Sequence, residues 1–247
     1  MNSSKKWIFW YALWLILAAS ALYLADFAVF KDAHSIFISV LSGIAFIPIQ
    51  VLLVTLILEK FLRVREKQAL IHKLNMVLGA FFSEVGSPLL KFFSIFEGEN
   101  RALWQHLQLS PNWTMKDFLQ AKKFLTQYTY HLDPLKLDMI KLRDFLASRR
   151  TFMLGLLENP NLLEHDRVTD MLWAILHLTE ELLARKDLTR SKNKDLEHLG
   201  TDTLRAYAQL IPEWLQYMRH LKNDYPYLYS LAVRTNPFNA HACVEIP

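Results

Sequence analysis

One cysteine in 247 residues, Cys243, excludes an intramolecular disulfide and any metal site built on several thiolates. A reducing compartment fits that usage. Glycine is scarce too, at six residues, and none falls into G-x-x-x-x-G-K or G-x-G-x-x-G. The loops that cradle phosphates through backbone N–H groups are therefore missing. G-x-S-x-G is absent, which removes the nucleophile elbow of α/β hydrolases. There is no His-Glu-x-x-His and no His-x-x-x-His, and no histidine has Glu three residues before it. Helix-borne zinc pairs and di-iron carboxylate bundles thus lack their usual patterns, and no cofactor or metal is expected. No stretch alternates apolar and polar residues with β-branched enrichment, so no strand is expected. Repeats and low-complexity tracts are absent as well. Nor does one sign of charge dominate: 28 Lys plus Arg face 24 Asp plus Glu, a net +4, with three of each sign before Lys60. The bases interleave with acids, so a nucleic-acid partner is not expected.

What the chain does have is two long apolar runs, residues 7–25 and 35–58, free of charged side chains. As helices rising about 1.5 Å per residue, each can cross a hydrocarbon core of roughly 30 Å. Only residues 26–34 separate them, which predicts a transmembrane hairpin over 1–58. Lys5 and Lys6 precede the first run, and Lys60, Arg63, Arg65, Lys67 and Lys73 follow the second. The loop between carries Asp26, Lys31 and Asp32. This asymmetry places both termini in the cytoplasm of an integral membrane protein of the bacterial inner-membrane type. A cleaved signal peptide ending at Ala19-Ser20-Ala21 is the competing reading. Against it, the apolar run continues past Ala21, and Trp7, Trp10, Tyr11 and Trp14 suit an interfacial aromatic belt. In a cytoplasmic domain the sequon Asn112-Trp113-Thr114 would go unused.

The second run carries Ser35, Ser39 and Gly43 at four-residue spacing, a small-residue face that lets another helix approach closely. Gln50 lies two turns beyond Gly43 on nearly the same face. Self-association through this seam is the expectation, with Ala21 and Ala25 of the first run as the alternative partner. A polar pore lining is a further alternative, although no intramembrane acid or base supports an ion pathway.

Residues 59–247 read as a soluble all-α domain. Val64, Ile71, Leu74, Leu78, Phe81 and Val85 keep 3–4 spacing, so the second span should run on as one helix over 59–85. Helix starts are marked at Ser87-Pro88, at Asn100, at Thr114 with Asp117, and at Asp133-Pro134, the last opening a long helix to Glu158. Asn159-Pro160-Asn161 interrupts it, an amphipathic segment follows over 163–186, and a polar linker covers 187–195. Pro212 marks a kink or boundary in the next helix, and 227–235 forms the last. The expected core holds Leu74, Leu78, Phe81, Phe118, Leu125, Leu142, Phe145, Leu172, Ile175, Leu176, Leu204 and Leu215. Trp173 counts with Phe145 as an aromatic whose burial would make truncation to Ala cost about 3–5 kcal/mol.

Candidate chemistry is thin. His165-Asp166, in an all-α context, resembles the dyad of HD-type metal phosphohydrolases, where His and Asp hold a metal that activates water. That resemblance would make His131 and Asp170 or Asp195 the further ligands. The residues also read as the acidic first turn of a helix, with Glu164. Arg101-Ala-Leu-Trp-Gln-His106 resembles the Arg-to-His pattern of HEPN ribonucleases, which are all-α, though Ala102 stands where those families usually carry a polar residue. His177 with Glu181, and His220 with Asp224, lie one turn apart and predict local pair contacts. Tyr225, Tyr227, Tyr229, Arg234 and Phe238 crowd the C-terminal segment, and three roles compete for it: core packing, a membrane-surface helix, or a partner-docking patch. The leading expectation is a non-enzymatic, membrane-anchored helical protein that self-associates and presents its domain to a cytoplasmic protein partner. A membrane-tethered enzyme of either class above is the alternative.

Overall fold

In a computed structural model the chain is all-helical, with no strand among the described residues, 3–93, 100–188 and 193–245. Residues 189–192 of the expected linker, and the side chains of Lys5, Lys6, Lys67 and Ile71, lie outside the described set. The chain divides into two compact units, Met1–Lys67 and Gln68–Pro247.

The first unit is built on α1 (Ser3–Phe30) and the N-terminal part of α2 (Ala33–Phe81). Stretches Trp10–Val29 and His34–Glu66 are long and apolar enough to cross a membrane, by length and composition. The connection is tighter than the loop expected over 26–34, because Lys31 and Asp32 close it alone. Lys31 adopts φ of 52°, the left-handed region, and its N–H donates to the Phe27 carbonyl at 2.9 Å. Asp32 Oδ1 then accepts from the N–H groups of His34 (2.9 Å) and Ser35 (3.3 Å), capping α2. With both helix ends satisfied, Asp26 and His34 become helical. Pro48 sits inside α2 without ending it.

In the second unit α2 ends in a π-helical turn, Phe82–Gly86, that leads directly into α3 (Ser87–Phe92). Ser87 is therefore a helical residue rather than the expected cap. Its N–H bonds five residues back to the Phe82 carbonyl, and this wider turn lets the helix pass Pro88, which has no N–H to give. Gly86 is needed here, since a Cβ would fall 2.4 Å from the Phe82 ring. Next come α4 (Arg101–His106) and α5 (Met115–Leu125). At the start of α5, Asp117 accepts from both the N–H (2.6 Å) and the Oγ1 (2.7 Å) of Thr114.

Asp133-Pro134 opens only a 3₁₀ turn, Pro134–Lys136. The long helix α6 (Met139–Leu157) begins later, because Leu137 is extended and Asp138 supplies a second cap to the Lys141 N–H at 3.0 Å. After the short α7 (Pro160–Leu163) come α8 (Asp166–Ala184), α9 (Asn193–Asp224) and α10 (Pro226–Arg234). Pro212 lies within α9, removing the donor that would meet the Ala208 carbonyl without breaking the helix.

α8 packs most extensively against α9, and then against α6. Arg167 meets Glu213, His177 meets Asp202 and Glu181 meets His198, so α8 and α9 run antiparallel. Ten of the twelve expected core residues are buried; Phe145 and Leu204 are half-buried. Trp173 is the clear correction, 57% exposed. At about 100° per residue it shares a face with Asp170, His177 and Glu180, opposite the buried stripe of Met171, Leu172, Ile175 and Leu178. The buried tryptophans are Trp104 and Trp214, the latter with its ring 4.9 Å from that of Phe238.

The C-terminal aromatic segment does not form one patch. Tyr229 and Phe238 are in the core, with Tyr229 Oη donating to the Ser110 carbonyl at 3.0 Å. Buried Asn236 fastens the tail to the end of α4, donating to the Leu107 carbonyl at 2.9 Å and accepting from the Phe238 N–H. Arg234 donates to the Val244 carbonyl at 2.8 Å, and Tyr225 is half-buried against His220. Of the five expected residues only Tyr227 stands well out, at 70% exposed, beside exposed Leu228 and Leu231. Core packing wins here because the tail folds back over Trp104 and Trp214.

Candidate functional site

The residues singled out for chemistry are not brought together. His106 is exposed, its ring stacked on Phe124 at 3.8 Å and its Nδ1–H donating to the Ala102 carbonyl at 2.8 Å. Arg101 is exposed at the start of the same six-residue helix. Asp166 is exposed in the first turn of α8, whereas the preceding His165 is half-buried with an Nε2 that has no hydrogen-bond partner. No group of three or more metal-ligating side chains among the described residues includes them.

His165 instead borders a cleft of about 490 Å³ with Glu164, Arg167, Glu213 and His220. A second cleft of about 310 Å³, between α5 and α9, has Phe118, Lys122, Asp170, Pro212 and Arg219 in its walls. Arg167 and Glu213 line both. Glu213 is 4% exposed, and burial raises its carboxyl pKa against the opposing pull of Arg167, whose Nε is 3.6 Å away. A buried acid between two clefts is a site-like feature.

The densest polar constellation lies elsewhere on the α8–α9 interface. His177 and Glu181 sit one turn apart on α8, and His198 and Asp202 one turn apart on α9. Antiparallel packing sets the two pairs face to face. His198 Nε2 is 3.4 Å from Asp202 Oδ2 and 3.5 Å from Glu181 Oε2. His177 Nε2 is 3.5 Å from Asp202 Oδ2 and 4.0 Å from Glu181 Oε1. The four groups close a ring.

Each carboxylate is also held by an arginine. Arg205 Nη1 donates to Asp202 Oδ1 at 2.8 Å, and Arg185 Nη1 to Glu181 Oε2 at 2.8 Å, while Arg185 also clamps Asp195 at 2.6 Å. The arginine beside Glu181 lowers its pKa, keeping it ionised. Asp202 is 2% exposed, and its Oδ2 accepts no hydrogen bond. Nearby buried hydroxyls do not help, since Thr179 and Thr203 donate to their own helix, to the Ile175 and Leu199 carbonyls, both at 2.7 Å.

Sequence reasoning reached the His177–Glu181 pair and missed His198 and Asp202. The available signal was Asp195-x-x-His198-x-x-x-Asp202, acids one turn either side of a histidine, with Asp202 in the apolar stripe of α9. The other pair, His220 and Asp224, is a local contact at 2.6 Å.

Residues 70–234 match a family model described as the uncharacterized protein MJ1433, C-terminal helical domain, and residues 2–62 match the MJ1433 N-terminal helical domain. A relative from Methanocaldococcus jannaschii, the uncharacterized protein MJ1433, is 43% identical over 237 residues, covering 96% of this chain and 95% of that protein. No solved structure matches the chain. Matched along both its apolar helices and its helical domain, the chain belongs to the MJ1433 family.

Proposed function

We propose that this protein is a membrane-anchored, non-enzymatic helical protein that self-associates through its second apolar helix and presents residues 68–247 to a protein partner in the cytoplasm. One observation carries the anchoring: no described residue of the apolar runs 7–25 and 35–58 is buried. So large a continuous apolar surface is a liability in water and is stabilised by lipid. The lysines and arginines flanking the two helices favour a cytoplasmic domain. Exposed Trp173 on α8 and Tyr227 on α10 supply the rigid aromatic surface that partner-binding sites use as anchors. The non-enzymatic part of the reading is supported by His106 and His165, each engaged or placed apart from the groups its chemistry would need.

Extraction tests the anchoring. The full chain should stay with the membrane pellet through alkaline carbonate and high salt and leave only in detergent. Release by carbonate or salt alone would overturn the reading.

A further inference from the structure

We propose that Glu181, His198 and Asp202 form a binding site for one divalent first-row transition metal ion, typified by zinc, that fastens α8 to α9. Three observations carry it. First, the donor set is one imidazole and two carboxylates, hard enough for Zn²⁺, Fe²⁺ or Mn²⁺ and lacking the sulfur that softer ions prefer. Second, the spacing fits a shared ion. Bonds of about 2.0–2.1 Å in tetrahedral geometry place ligand atoms roughly 3.3–3.4 Å apart. His198 Nε2 lies 3.4 Å from Asp202 Oδ2 and 3.5 Å from Glu181 Oε2, and one ligand atom from each of the three residues lies within 4.8 Å of the others, a set that does not take in His177.

The third observation separates a metal from a plain ion-pair network. If protonated histidines were donating to Asp202, charge-assisted bonds of about 2.7–2.9 Å would be expected. Instead Asp202 Oδ2 is buried and accepts no hydrogen bond, although two ring nitrogens lie 3.4 and 3.5 Å away. A buried carboxylate oxygen left bare costs free energy, and a cation shared with His198 and Glu181 removes that cost. The outer shell is in place too: Arg205 donates to Asp202 and Arg185 to Glu181. Three protein ligands, drawn from both helices, leave the fourth position to water.

The test uses the full chain in detergent, stripped with chelator and dialysed against Zn²⁺ or Co²⁺. Expected are one tightly held Zn²⁺ per chain, the strong visible absorption of tetrahedral Co²⁺, and a higher melting temperature with metal than with chelator. Asp202→Asn should weaken Zn²⁺ binding by at least about a hundredfold, the upper end of what outer-shell losses alone produce. His198→Ala, at a half-exposed position that the fold tolerates, should do the same and abolish the Co²⁺ spectrum. His220→Ala, in the separate His–Asp pair, should change neither. No bound zinc, or zinc held equally by wild type, Asp202→Asn and His198→Ala, would overturn the proposal.

Discussion

Trp214→Ala should lower the free energy of unfolding by about 3–5 kcal/mol, whereas Trp173→Ala should cost less than about 1 kcal/mol. Both residues are tryptophans on neighbouring helices of one domain, so composition and propensity predict no difference between them. Position decides. Trp214 is 1% exposed and its ring meets Phe238 at 4.9 Å, which in turn meets Trp104 at 5.5 Å. Removing it leaves a cavity that the rigid C-terminal tail, stapled by Asn236, cannot collapse into. Trp173 is 57% exposed, and truncating it removes little that folding had buried. Denaturant unfolding of the detergent-solubilised variants, followed by far-ultraviolet circular dichroism, measures both. Equal losses would mean that the buried face of α8 or α9 is misassigned.

Gly43→Leu should reduce the cross-linked oligomer at least about tenfold, and Gln50→Leu by no more than about threefold. Ser35, Ser39 and Gly43 put almost no side-chain bulk on one face, and close helix approach gains van der Waals contact that lipid tails match poorly. A polar contact in a membrane contributes about 0.6 kcal/mol on average, which sets the smaller figure. Within one chain nothing lies within 4 Å of a Cβ added at Gly43, so a side chain starts there into open space. That makes the substitution a selective probe of contacts between copies rather than of the chain's own packing. Cross-linking in native membranes reads the result. Monomer for wild type and variant alike would end the self-association proposal.

Much of the architecture was readable because it depends on local rules. Two uncharged runs mark the apolar helices, Thr114 with Asp117 marks the start of α5, and the 3–4 spacing of Met171, Leu172, Ile175 and Leu178 marks the inner face of α8. Where local signals competed, the reading slipped. Asp133 and Asp138 both offer caps, and only tertiary packing selects the second for α6. An aromatic side chain favours burial for Trp173, yet the helical period places it with Asp170 and His177. Core and surface roles compete for the aromatic tail in the sequence because the fold-back that buries Tyr229 and Phe238 depends on a bond from Asn236 to Leu107, far away in sequence.

The metal-binding arrangement was the least readable part. His177–Glu181 and His198–Asp202 each satisfy a one-turn contact on their own helix, so neither pair signals a missing partner. Only the antiparallel register of α8 and α9 sets them opposite one another, the same register that pairs Arg167 with Glu213. Patterns such as His-Glu-x-x-His place their ligands on one helix; here the set is split between two, and the Asp195-x-x-His198-x-x-x-Asp202 spacing shows only the α9 half of it.

Cys243 permits a direct test of the central claim without altering the chain. It is the single cysteine and is exposed, beyond α10 and outside both apolar helices. In intact cells a membrane-impermeant maleimide should leave Cys243 unlabelled, and after lysis it should label it fully, as a cytoplasmic domain on a membrane anchor requires. Labelling in intact cells to the same extent as after lysis would put the domain on the other side of the membrane and contradict the account.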